Sequence, residues 1–142
     1  MCLPYIPWRH DDPSWHYVLI HCTSPDCLKR ILDHGVNPDV AEEGQFTMLH
    51  HIVTLDVTER VRLALAMLLL DAGASLSPRD SMLQSTPLGW ACRWGHRELV
   101  ELYLERGADA AEPDAEPWAT PLAWVNKNGY RDIAEMLSGD VP

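Results

Sequence analysis

Apolar residues along this chain come in short bursts, each set off by polar stretches rich in proline and aspartate. Leu99, Val100, Leu102, Tyr103 and Leu104 recur at spacings that predict a helix with a broad apolar face. Upstream, Thr86-Pro87-Leu88 predicts another helix start. The threonine hydroxyl can cap the first turn, and a proline at the first helical position gives up an N–H that has no partner there anyway. Small Ala91 and Cys92 allow a neighbouring helix to approach closely, and Gly95 breaks the first helix. Gly107 can take the left-handed turn that ends the second. Residues 85–109 therefore read as a helix–turn–helix–loop unit.

The same signals recur. Thr47-Met48-Leu49-His50 and Thr120-Pro121-Leu122-Ala123 repeat the start, and Gly73 and Gly139 repeat the stop. Thr86 and Thr120 are 34 residues apart, as are Gly73 and Gly107. A period of that size indicates stacked repeats rather than one globular core. The unit begun by Thr47 is 5 residues longer than the one begun by Thr86, and the extra residues fall around Leu55 to Glu59. The last unit stops two residues early, at Gly139. A degenerate first unit is visible as a second helix over Asp26 to Gly35, with Ser14 at the capping position before Trp15-His16-Tyr17. Residues 38–46, 77–85 and 112–119 read as protruding loops between units.

These residues resemble the ankyrin repeat, whose pattern runs Thr-Pro-Leu-His-x-Ala-Ala, then Gly-His, then an apolar helix and Gly-Ala-Asp. The resemblance implies an all-α ankyrin solenoid over residues 13–142, in approximate units 13–44, 45–83, 84–117 and 118–142, behind an extended N-terminal tail at 1–12. It gives His50 the role of bracing the first turn of its unit. It also implies a non-catalytic module that binds a partner protein on a concave face lined by loops and first helices. The positions carried over are His21, Thr54, Leu55, Arg93, Trp94, Lys127 and Asn128 from the first helices, and Phe46, Met82, Leu83, Ser85 and Trp118 from the loops. Arg93 and Trp94 are the central pair, because Trp and Arg are enriched among interface hot spots. Trp90 and Trp124, also 34 residues apart, should pack near each other as core. Trp118 stands where the family usually has a loop glycine, and Trp8 and Trp15 would seal the first unit's apolar edge. A narrower form of the reading is a small inhibitor or immunity-type protein that blocks another protein's active site.

Charge limits the partners. The chain has 11 basic and 21 acidic side chains, a net −10 with histidines neutral. Such a surface repels phosphate backbones, which argues against nucleic acid and, if charge steers the encounter, favours a partner with a basic patch. The longest apolar run, Leu63 to Leu70, is 8 residues, well short of the roughly 20 a spanning helix needs. The first residues lack the basic-then-apolar order of a secretory signal. Cysteines at 2, 22, 27 and 92 contain no Cys-x-x-Cys pair and read as reduced, semi-buried thiols of a monomeric cytoplasmic protein.

Chemistry finds little support. His50 and His51 are neighbours, so on a helix they point about 100° apart and do not share an ion easily. His16, His21, Cys22 and Cys27 match no recurrent zinc spacing. No Gly-x-Ser-x-Gly or phosphate-cradling glycine loop is present, and the pairs Asp11-Asp12 and Glu42-Glu43 read as solvated surface. No cofactor is expected. The competing classes are a small hydrolase or metal-dependent enzyme built on the first unit's His/Cys cluster, and a scaffold that self-associates through its degenerate first unit.

Overall fold

The computed structural model describes residues 23–41 and 45–138. Among them the chain is all-α, with seven α-helices, one 3-10 turn and an isolated bridge between Ala41 and Thr47. It divides into two compact units, Met1–Ser75 and Leu76–Pro142.

In the first unit, α1 (Pro25–Asp33) starts at Ser24, whose hydroxyl accepts from the Cys27 amide at 3.5 Å. The short α2 (Met48–His51) runs on as a 3-10 turn over Ile52–Thr54, and α3 spans Glu59–Asp71. Thr47 and His50 cap α2 reciprocally. The His50 Nδ1 accepts from the Thr47 amide at 3.2 Å and lies 2.9 Å from its hydroxyl. His50 is wholly buried, which is the bracing role expected of it. Leu28 and Ile31 of α1 and Leu65 and Leu69 of α3 are fully buried, together with Met48, Leu49, Ile52 and Val53. Each such side chain is stabilised by about 1.5–3 kcal/mol on leaving water.

The longer second repeat has a definite cause. Compared with the unit that Thr86 begins, its turn between helices gains two residues (Leu55 to Thr58 against Gly95 and His96). Its second helix gains four, 13 residues against 9, and its first helical segment loses one. The longer turn strands carbonyl groups at the end of the 3-10 segment. Arg62, only 6% exposed, reaches back from α3 to fill them. Its guanidinium donates to the carbonyls of Ile52, Val53 (3.0 Å) and Val57 (3.3 Å), while Nε meets Glu59 at 3.3 Å.

The second unit repeats one helix pair. α4 (Pro87–Trp94) and α5 (Arg97–Glu105) are followed by α6 (Pro121–Asn128) and α7 (Arg131–Ser138). Thr86 and Thr120 cap α4 and α6, accepting from the amides of Gly89 and Ala123, with proline at the first helical position of each. Both helices end on glycine with positive φ, Gly95 at 73° and Gly129 at 76°. At Gly95 a side chain is barred twice over, because a Cβ would lie 2.7 Å from the Tyr130 ring. α4 packs on α6 and on α5, α6 on α7, and α5 on α7. Leu88, Ala91, Cys92, Leu99, Val100, Tyr103 and Val125 are fully buried among them. Leu122, one repeat on from the wholly buried Leu88, is 42% exposed.

The loop turns differ in a telling way. Gln45 and Gln84, each two residues before a capping threonine, take φ of 58° and 53°. Trp118 holds the matching place before Thr120 but has no positive φ; in that loop the left-handed residue is Glu112, at 44°. The third loop therefore turns earlier than the second. Trp8, Ser14, Trp15, His16, His21, Cys22, the pairs 11–12 and 42–43, the tail 1–12, and Gly44 and Gly139 lie outside the described residues.

Candidate functional site

The densest grouping of expected site residues forms at the C-terminal ends of α4 and α6. Trp90 and Trp94, one helical turn apart, stack with centroids 4.9 Å apart and planes 18° apart. Arg93 reaches from α4 to α6. Its guanidinium lies 5.0 Å from the Trp94 ring and 4.9 Å from the Trp124 ring. Lys127 places its ammonium 5.8 Å from the Trp124 ring, and Trp118 meets that ring edge-on at 6.1 Å. Four indoles and two cations thus form one ladder.

Burial divides the ladder into support and display. Trp90 and Trp124 are buried, at 5% and 4% exposed, as core residues should be. They stand on the packed helices α4 and α6, and Trp124 is met by Arg93, Lys127 and Trp118. Trp94 is 38% exposed and Trp118 52% exposed, so each packs on one side and faces solvent on another.

Two buried polar groups fix the supporting tryptophans. Asp80, 2% exposed, accepts four hydrogen bonds: from the amides of Met82 (3.0 Å), Leu83 (2.8 Å) and Ser85 (3.2 Å), and from the Trp90 indole (2.8 Å). One carboxylate thereby ties the loop tip to α4. Ser85 does the same for α6. Its hydroxyl accepts from the Trp124 indole at 2.9 Å and lies within donating distance of the Leu83 and Ala119 carbonyls. Ser85 is wholly buried, so its place among the loop contact candidates is corrected. It holds up the site from within the fold.

Beneath this layer Thr86 accepts from Gly89 while donating to the Glu112 carboxylate at 2.6 Å, and Arg79 stands 3.6 Å from the other Glu112 oxygen. Glu112 is 3% exposed. Burial pushes its carboxyl above the usual carboxylate range, against the opposing pull of the Thr86 hydroxyl and the Arg79 charge. Cys92 is a free, buried thiol, raised far above its ordinary value by burial and then by the Glu112 charge, which makes it a poor nucleophile.

The remaining candidates scatter. Met82 is 76% exposed at the loop tip, with Leu83 half-buried beside it. Lys127 and Asn128 are exposed, and the Asn128 amide donates to the Trp124 carbonyl at 2.9 Å. In the first unit Phe46 is half-buried, stacked on His50 at 5.7 Å and edge-on to His51 at 5.9 Å, which makes it part of the local packing. Leu55 is half-buried in the lengthened turn, and the exposed Thr54 donates to the His51 carbonyl. His21 lies outside the described residues.

The cysteine reading is also corrected. Cys27 is disulfide-bonded, so the chain does not carry four reduced thiols. Such bonds are rare where glutathione keeps thiols reduced, and cysteine usage gives no support to a cytoplasmic site. Among the described residues no group of three or more His, Cys, Asp or Glu could hold a metal ion. No helix among them is long and apolar enough to cross a membrane.

Comparison with curated proteins yields no match. A family model described as ankyrin repeats, in three copies, matches residues 15–114. That span is well over half of the 142 residues, and the chain belongs to the ankyrin repeat family.

Proposed function

We propose that this protein binds another protein through the ladder at the ends of α4 and α6, with the loop tip at Met82 and Leu83 at its margin. Ankyrin repeats are generally protein–protein interaction modules and are typically non-catalytic. The observation that carries the reading is Arg93, clamped between two indoles while Trp94 stays 38% exposed. A side chain held in place before binding gives up little entropy on binding. Ordering a free, rotamer-rich side chain costs about 0.5–1.5 kcal/mol, and the clamp has met most of that cost in the free protein. Partly exposed indoles beside a fixed guanidinium are the composition of an interface anchor.

In this account the chain acts as a monomer and as a pre-formed surface, carried by the last two of the four units at 13–44, 45–83, 84–117 and 118–142. The test is affinity capture from a lysate of the protein's own source, using wild type beside an Arg93→Ala/Trp94→Ala variant of equal helicity by circular dichroism. A partner recovered by wild type and lost by the variant is expected. Identical recoveries by both would move binding away from this surface.

A further inference from the structure

The net charge of −10 suggests a basic partner, but the local charge at the ladder is of the opposite sign. α4 reads Pro-Leu-Gly-Trp-Ala-Cys-Arg-Trp and α6 reads Pro-Leu-Ala-Trp-Val-Asn-Lys-Asn. Neither contains an aspartate or a glutamate. Their only charges are Arg93 and Lys127, both in the last turn, and both set against the same Trp124 ring. Two cations that share one indole repel each other, and neither helix supplies a carboxylate to separate them.

Both cations also lack a carboxylate. Arg93 forms no ion pair or hydrogen bond with any described residue, and its Nε is buried with no partner. Lys127 likewise pairs with no described residue; its contact is the Trp124 ring. Two other cations of this unit are paired. Arg79 faces Glu112 and Arg97 meets Asp132 at 3.5 Å. The helix ends supply part of the compensation, since cations near a C-terminus are favoured by roughly 0.3–1 kcal/mol. The carbonyl dipoles do not, however, fill the donors on the guanidinium's edge. Nε alone of those donors is buried, and the planar fork of the two terminal Nη groups matches a carboxylate's two oxygens.

From this juxtaposition we infer that the ladder receives an acidic segment of a partner protein, with an aspartate or glutamate against the terminal Nη groups of Arg93, within reach of Lys127, and a large apolar side chain against the exposed part of Trp94. The inference rests on the protein-binding reading above and specifies its partner. The overall negative charge then adds selectivity: the chain as a whole repels an acidic segment while this strip attracts it, which favours one docking position over many.

The test uses the full chain and a displayed library of random short peptides. Selection is run on wild type, on Arg93→Met, which keeps an apolar stem between the two indoles without the cation, on Lys127→Met, and on Trp94→Ala. Circular dichroism and melting curves confirm that each variant is folded. Wild type should enrich peptides that place Asp or Glu near an aromatic or large aliphatic residue. Their affinity should fall by about tenfold or more in Arg93→Met, less in Lys127→Met, and should weaken as salt is raised. Peptides that are basic, or apolar peptides lost in Trp94→Ala but indifferent to Arg93→Met, would overturn the acidic segment while leaving the binding surface standing. Peptides indifferent to Arg93→Met and Trp94→Ala alike, or no enrichment at all, would overturn the surface as well. Synthetic peptides that bind only when phosphoserine replaces the acidic residue would reassign the ligand to a phosphopeptide.

Discussion

Removing the Asp80 carboxylate should loosen the whole site. In Asp80→Ala four donors lose their acceptor at once: three loop amides and the Trp90 indole. The amides of Met82 and Leu83 lie at an exposed loop tip, where water can replace the lost acceptor. The Ser85 amide and the Trp90 indole belong to buried residues and have no such substitute. A buried donor left unsatisfied costs about 1–3 kcal/mol, so these two alone account for roughly 2–6 kcal/mol. A total loss of about 3–5 kcal/mol is expected, a large part of the roughly 5–15 kcal/mol that holds an ordinary domain folded. Urea unfolding followed by tryptophan fluorescence measures it, and the same signal reports on the freed Trp90. Asp80→Asn keeps the shape and one acceptor oxygen, and should fall between wild type and Asp80→Ala. The variant should also weaken partner binding, because Trp90 is the ring on which Trp94 rests. A loss in Asp80→Ala below about 1 kcal/mol would refute the view that this carboxylate organises the loop.

Other predictions follow from single contacts. Arg62→Met should cost about 3 kcal/mol, because the buried Ile52 and Val53 carbonyls lose their donor; a melting curve that matches wild type would contradict the stapling role. Glu112 has a raised pKa in the fold, so the native state holds its proton more tightly than the unfolded chain does. Its contribution to stability is therefore full below the ordinary glutamate pKa and is lost as pH rises through the raised value. Glu112→Gln should gain on wild type near neutral pH and lose that advantage as pH falls towards 4.5; a gap that does not change with pH would contradict this. Gly107→Ala meets nothing within 4 Å and should cost only the left-handed backbone, about 1–2 kcal/mol. Gly95→Ala also drives a Cβ into Tyr130 and should melt lower; equal melting temperatures would show that the Tyr130 ring yields freely.

Much of the fold was legible because it depends on short-range rules. Thr47, Thr86 and Thr120 start helices by capping with their own side chains or through the next turn, and Gly95 and Gly107 take positive φ where the pattern demanded a stop. The burial of Trp90 and Trp124 was legible from their equal places in the repeat. Harder to read was how the five extra residues of the second repeat divide between turn and helix. That division depends on Arg62 reaching carbonyls nine and ten residues back, which no spacing rule encodes. The same limit hid Asp80, Ser85 and Glu112. Their roles arise where loops carry polar groups against tryptophans and capping threonines up to 39 residues away, and loop composition alone reads as solvent-facing. Arg93 and Trp94 were identified by residue type, but the second indole that completes the clamp belongs to the next repeat. Net charge pointed away from the sign of the site because every acidic residue lies outside the two helices that build it.

The central claim is that the ends of α4 and α6 meet a partner protein. A photo-crosslinking residue at Asn128, exposed beside Lys127, tests it most directly against the same residue at Glu101, exposed on the second helix α5. In a lysate of the protein's source, the account predicts a protein adduct from position 128, none from position 101, and loss of the adduct when Arg93 and Trp94 are replaced by alanine. Adducts from position 101 alone, or adducts from position 128 that persist in the alanine variant, would contradict it.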